Sequence, residues 1–206
     1  MDPAEQREEG WRQVEAGLAL IQWSKLAQWD AHQFAFIATD VATFESEEGH
    51  GAVHRTFGRL VCWIAFSTGA EYLVRGAWLL KDQVLSKPID VFRIPSGDED
   101  LDKWAGDVIK GKVCVKETIN ELGSLGKVPW KTVLQGVAKP KRVQAAYELL
   151  RDTIRNRDAH RYSKDVRAFH FHVVGMLFVP AFNAVLRSLN QAELRARVFT
   201  LGRTSS

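Results

Sequence analysis

The sequence is short of the features that mark secreted, membrane-spanning or fibrous proteins. Its 206 residues hold only two cysteines, Cys62 and Cys114, too few for a disulfide framework. Both stand among apolar neighbours, where cysteine serves as a small buried hydrophobe, so a reducing cytoplasm is the expected compartment. No apolar run approaches the roughly 18 residues of a transmembrane helix, and no membrane partner is expected. Residues 1–9 are acidic and carry no apolar core, so a signal peptide is not expected. There is no internal repeat and no low-complexity tract. Period-2 alternation is scarce, and the only short β-branched stretches are near 91–94 and 113–115. What remains is an ordinary globular composition, 46% hydrophobic and 26% charged, enough to bury a sizeable core in a single domain spanning 1–206.

Charge of one sign is missing from each part of the chain. Residues 1–126 carry 13 Lys+Arg against 20 Asp+Glu, a balance of −7, whereas 127–206 carry 15 against 5, a balance of +10. A basic third of this kind is either the footprint of a polyanion such as nucleic acid or a surface that packs on the acidic part. All seven tryptophans lie between Trp11 and Trp130, so beyond Trp130 at its start the basic third has no indole on which bases could stack.

The apolar spacing is mostly helical. Trp11, Val14, Leu18, Ile21, Trp29 and Phe36 predict a first helix over 10–45, with a gap near Lys25. A second is predicted over 53–84, with Leu60, Ile64, Ser67, Glu71, Val74 and Trp78 on one face. Glu71 thus falls on an otherwise apolar stripe, where a carboxylate is costly unless paired; an i,i+4 pair with Arg75 is the simplest resolution. Residues 87–139 hold three prolines (Pro88, Pro95, Pro129) and glycines at short intervals. They read as an insertion with short helices at 98–110 and 114–123, the first opened by a Ser96–Glu99 capping box. Pro140 starts a third long helix with Val143, Tyr147, Leu150 and Ile154 as its stripe. A fourth begins near Ser163 or Asp165 and carries Val166, Phe169, Val173, Met176, Leu177 and Leu189, with a kink at Pro180. Residues 202–206 read as a tail. The plan is all-α: a four-helix bundle with an insertion between the second and third long helices.

Chemistry concentrates in 150–162, Leu-Arg-Asp-Thr-Ile-Arg-Asn-Arg-Asp-Ala-His-Arg-Tyr, where the third helix gives way to the fourth. Arg155 is followed by Asn156, then by His160 and Tyr162. Histidine titrates near neutrality and can take or give a proton there. Arginine stays charged and forks onto two phosphate oxygens. The plain alternative is a solvated face on which Arg155, Arg157 and Arg161 pair with Asp152 and Asp158.

Arg155-Asn156-x3-His160 resembles the signature of the HEPN superfamily: an Arg, a polar residue, a few more residues and a His, set in a four-helix bundle. The longer Arg155-x4-His160-x-Tyr162 form is similar to that of HEPN toxins paired with nucleotidyltransferase antitoxins. The segment around Glu71 resembles the polar-bearing second helix of these proteins, while the 87–139 insertion departs from the small toxins. The resemblance implies a HEPN-like fold and a metal-independent endoribonuclease, a toxin or antiviral-defence effector that cuts tRNA or mRNA by attack of the ribose 2′-OH. In that reading His160 is the general base or acid and Arg155 the phosphate clamp. Asn156, Tyr162, Glu71 and Asp158 are supporting residues, Tyr162 being also the residue an antitoxin would modify. Arg151, Arg157, Arg161, Lys164 and Arg167 hold the RNA backbone. One chain offers one such His, so a homodimer bringing two Arg155–His160 sets to a shared cleft is implied. The partners implied are RNA, a second copy and a nucleotidyltransferase-type antitoxin, with no cofactor. The alternative within the resemblance is a non-catalytic bundle that binds RNA, a nucleotide or a protein.

Other patterns carry less. Glu47, His50 and His54 have metal-ligand spacing, but Gly49 and Gly51 argue for a loop, and no metal is expected. His170 and His172 point to different faces of the fourth helix, one toward the core or a dimer seam. Residues 123–127, Gly-Ser-Leu-Gly-Lys, lack the glycine spacing of a phosphate loop.

Overall fold

A computed structural model of the chain describes residues 2–39, 52–81, 128–152 and 173–201, with side chains omitted for 52–60 and 199–201. The described residues are mostly helical, as the all-α expectation requires, with one small hairpin added. Helix α1 spans Pro3–Trp23, strands β1 and β2 span Ala27–Asp30 and Ala35–Ala38, and helix α2 spans Ala52–Lys81. The short α3 is Trp130–Val133 and α4 is Pro140–Leu150. A π-wound turn, Val174–Phe178, runs straight into α5, Val179–Arg187, and α6 follows at Gln191–Leu201.

Helix α1 opens on a capping box: the Asp2 carboxylate accepts from Ala4 N, and Asp2 N donates to Glu5. This satisfies amides that would otherwise lack acceptors. The helix does not continue to 45, as the apolar spacing predicts. It stops at Trp23 because Ser24 turns its hydroxyl back to Ile21 O and accepts from Leu26 N, while Lys25 takes a left-handed φ of 58°. Trp29 and Phe36 are then cross-strand partners, Trp29↔Phe36, with ring centroids 5.2 Å apart. A separation of seven residues is two helical turns, but it is also one antiparallel step across a four-residue loop. Asp30 decides the matter locally, its Oδ1 accepting from His32 N at 2.7 Å and Gln33 N at 3.2 Å to close the turn. The outer edge of β2 is covered from α5. Asn183 accepts from Phe36 N at 2.8 Å and donates to Phe36 O at 2.9 Å, so its amide stands in for a neighbouring strand.

Helices α1 and α2 pack antiparallel through two glycines on each. Gly17 faces Gly69, and Gly10 faces Gly76, so closely that a Cβ on Gly69 would sit 2.8 Å from the Gly17 carbonyl. The seven-residue spacing of glycines on both helices keeps the two contacts on one seam. The core closes over α2 with Phe66, Tyr147, Phe178 and Phe182; Phe66–Phe182 and Tyr147–Phe182 centroids lie 5.1 and 5.5 Å apart. Val128, Val133, Leu134 and Val137, at the end of the 87–139 stretch, are buried in this same core. Its remainder, including Ser96, Glu99 and the two expected short helices, lies outside the described residues.

Pro140 is the first-turn residue of α4, and Val143, Tyr147 and Leu150 are buried as the stripe predicts. Ile154 lies outside the described residues, as do residues 163–172 and the tail at 202–206. The fourth stripe is corrected at both of its described ends. Met176 is 56% exposed, and the helix breaks at Arg187, so that Leu189 is buried in a turn rather than on a helix face. Asn190 starts α6 by accepting from Ala192 N and Glu193 N. Pro180 follows a π turn, in which Val179 N donates to Val174 O, five residues back.

Two charged groups tie the ends of these elements together. The Lys81 ammonium places donors on Val133 O at 2.6 Å, Gln135 O at 3.1 Å and Ser188 Oγ at 2.8 Å. The carboxyl ends of α2, α3 and α5 thus converge on one cation, the sign their dipoles favour. Arg197 fastens α6 to α1, bonding Glu8 at 2.6 Å and Glu15 at 3.1 Å while lying over the Trp11 ring.

Candidate functional site

Of the residues singled out in sequence, the structure describes Glu71 and Arg151. Arg155, Asn156, Arg157, Asp158, His160, Arg161, Tyr162, Lys164 and Arg167 lie outside the described residues. So do His170, His172, Cys114, Glu47, His50, the 123–127 stretch and the side chain of His54. The two described residues lie where α4 ends and on the middle of α2.

Helix α2 buries two polar residues one turn apart, Ser67 and Glu71. Glu71 is 4% exposed, which for a carboxylate demands a cation or several donors. The spacing supplies one: Arg75 Nη2 donates to Glu71 Oε2 at 3.4 Å, and the Arg75 guanidinium also lies over the Tyr72 ring at 5.8 Å. The i,i+4 pair expected from sequence is present, and it is half-sheltered rather than superficial.

Across from it, Arg151 continues α4 by one residue in helical geometry. Its guanidinium clasps the next side chain, Nε to Asp152 Oδ1 at 2.6 Å and Nη2 to Oδ2 at 3.0 Å. This fork holds the Arg151 proton more firmly than usual, and the fields of Glu148 and Glu71 add to it. The field of Glu71 on Arg151 links the two helices electrostatically. Arg75, Glu71 and Arg151 thus alternate in sign along the α2–α4 approach, and the chain leads from Asp152 directly into residues 153–162.

The arrangement offers guanidinium groups of fixed direction with a buried carboxylate behind them. Such a set can orient an anion or a basic partner, and it contains no histidine to move a proton near neutrality. That chemistry would have to come from His160. Among the described residues no group of three or more His, Cys, Asp or Glu could hold a metal. Cys62 is unpaired and half-buried, and burial pushes its thiol up, with the nearby Lys25 opposing. No helix among the described residues is long and apolar enough to cross a membrane.

The spacing of α2 points to Arg75 as the partner of Glu71 and gives no sign that Arg151 also feels the field of that carboxylate, more weakly than those of Asp152 and Glu148. Nothing local signals it, because residues 71 and 151 are brought together by helix packing alone. No family model, curated protein or solved structure matches the chain.

Proposed function

We propose that this protein is a metal-independent endoribonuclease of HEPN type, acting as a homodimer on tRNA or mRNA as a toxin or antiviral-defence effector. The observation that carries the reading is the motif Arg155-Asn156-x3-His160-x-Tyr162 in a mostly helical chain with a basic final third. His160 exchanges the proton of the ribose 2′-OH or of the leaving 5′-oxygen, and Arg155 stabilises charge on the phosphorane oxygens. Asn156 and Tyr162 contribute hydrogen bonds to phosphate or to His160, with Asp158 beside them. Arg151, Arg157, Arg161, Lys164 and Arg167 hold the RNA backbone through charge. A second copy supplies the second His of an acid–base pair, and a nucleotidyltransferase-type antitoxin is the natural regulator of Tyr162.

The test is cleavage of total tRNA and of a generic single-stranded RNA in EDTA by wild type and His160→Ala side by side. Cleavage by wild type alone, leaving 2′,3′-cyclic phosphate ends, is the expected result. RNA binding without cleavage by either protein would replace the enzyme with a non-catalytic RNA-binding scaffold. Equal cleavage by both would assign the activity to another site.

A further inference from the structure

The turn at which the described chain resumes, Val174–Phe178, is closed in an unusual way. Val179 N reaches back five residues to Val174 O. The next residue, Pro180, has no N–H and can serve neither Gly175 O in the π register nor Met176 O in the α register. A helix carbonyl left open in this way takes its donor from water or from another element. Arg142, in the first turn of α4, provides it, its Nη2 donating to Met176 O at 2.9 Å. The first turn of α4 contains no acidic residue to draw Arg142 away locally. The side chains of the turn divide sharply: Val174 and Phe178 are buried, while Met176 is exposed, and a Cβ on Gly175 would meet only Ala38, at 3.5 Å.

We propose that Arg142 and Pro180 form a conformational latch. Proline opens the helix at the Met176 carbonyl, and the guanidinium of α4 closes it. With the bond made, the turn stays π-wound and both Val174 and Phe178 remain in the core. With the bond broken, water takes the guanidinium's place on this exposed carbonyl and the turn is free to rewind, which turns Val174 relative to α5. The latch therefore sets whether Val174 and Phe178 keep their places in the core. It stands on the geometry of the turn and does not depend on the ribonuclease reading.

The test is a double-mutant cycle in the full-length chain, read by amide hydrogen exchange over 173–187. Arg142→Ala is expected to speed exchange in this stretch by about tenfold or more, with little change in α1 and α2. Pro180→Ala returns an N–H to the helix, so adding Arg142→Ala to it is expected to change exchange less than about twofold. An equal acceleration in both backgrounds, or none in either, would overturn the latch. Arg187→Ala, which removes another exposed arginine at the end of α5, separates the latch from a general loss of charge. If it speeds exchange over 173–187 as much as Arg142→Ala does, the latch is wrong, whether or not the Pro180 variant folds.

Discussion

Gly76 of α2 lies against Gly10 of α1 so closely that a Cβ there would stand 2.6 Å from the Gly10 carbonyl oxygen and 2.6 Å from Val14 Cγ2. The partner atom is backbone, so it cannot swing aside as a side-chain tip would. The same holds at Gly69 and Gly17, one heptad along each helix. Overpacking a rigid contact of this kind costs about 1–3 kcal/mol. Gly76→Ala or Gly69→Ala is therefore expected to lower stability by at least that amount. Gly136, with φ 74° and open space around it, should also lose stability on change to Ala, but through left-handed strain of about 1 kcal/mol. Denaturant midpoints of the three variants would check the ranking.

Glu71 and Arg75 should behave as a unit. Glu71→Ala leaves the partly buried guanidinium without its carboxylate partner, with an expected loss of about 2 kcal/mol. Arg75→Ala should cost a similar amount, and the double variant should cost less than the sum. Strict additivity in thermal or denaturant unfolding would show that the pair is not coupled.

Tyr147 is fully buried, and its hydroxyl has no hydrogen-bond partner among the described residues. Burial pushes the phenol far above its usual range. Tyr147→Phe removes an unsatisfied hydroxyl while keeping the ring packed on Trp130 and Phe182. A gain of about 1 kcal/mol is expected. A clear loss in the same unfolding measurement would mean that the hydroxyl bonds something in solution.

The α6 clasp should be sensitive to acid. The Arg197 hydrogen bond holds the Glu8 carboxyl below its ordinary 4.5. A carboxylate whose folded value is depressed adds stability that is present above the unfolded value and is lost as pH falls through the folded one. Protection of α6 amides, measured against their intrinsic exchange rate at each pH, is therefore expected to fall as pH drops below about 4.5. Glu8→Gln should flatten that part of the profile. If wild type and Glu8→Gln show the same acid profile, another group holds α6 to α1.

If the proposed RNA site is right, its arginines should be separable by salt. Arg157→Ala or Arg161→Ala is expected to reduce the slope of log Kd against log salt by about 0.7 to 1 for single-stranded RNA. His160→Ala should leave that slope unchanged while abolishing cleavage. Anisotropy titrations at several salt concentrations distinguish the two effects, and a slope change for His160→Ala would give it a binding role instead.

Local features were readable in advance. Pro140 at the head of α4, the Val143–Tyr147–Leu150 stripe and the Glu71–Arg75 pair all act within one or two helical turns, where spacing fixes geometry. The Arg155–His160 pattern is also local in sequence, and it lies outside the described residues. Trp29 and Phe36 were not readable, because their separation suits a helix and a hairpin alike. The choice fell to the left-handed Lys25 and to the Asp30 turn.

By itself, then, the sequence determined a mostly helical chain, the paired carboxylate on α2 and the start of α4. Only the tertiary structure decided that glycines 10, 17, 69 and 76 form one seam, that Lys81 joins three helix ends, that Arg142 serves the carbonyl Pro180 leaves open, and that Glu71 acts on Arg151. Each of these joins residues dozens of positions apart. Their relation depends on how helices cross and not on periodicity within one of them. A repeat of 3.6 residues records which face a helix buries, and carries no information about which element will cover it.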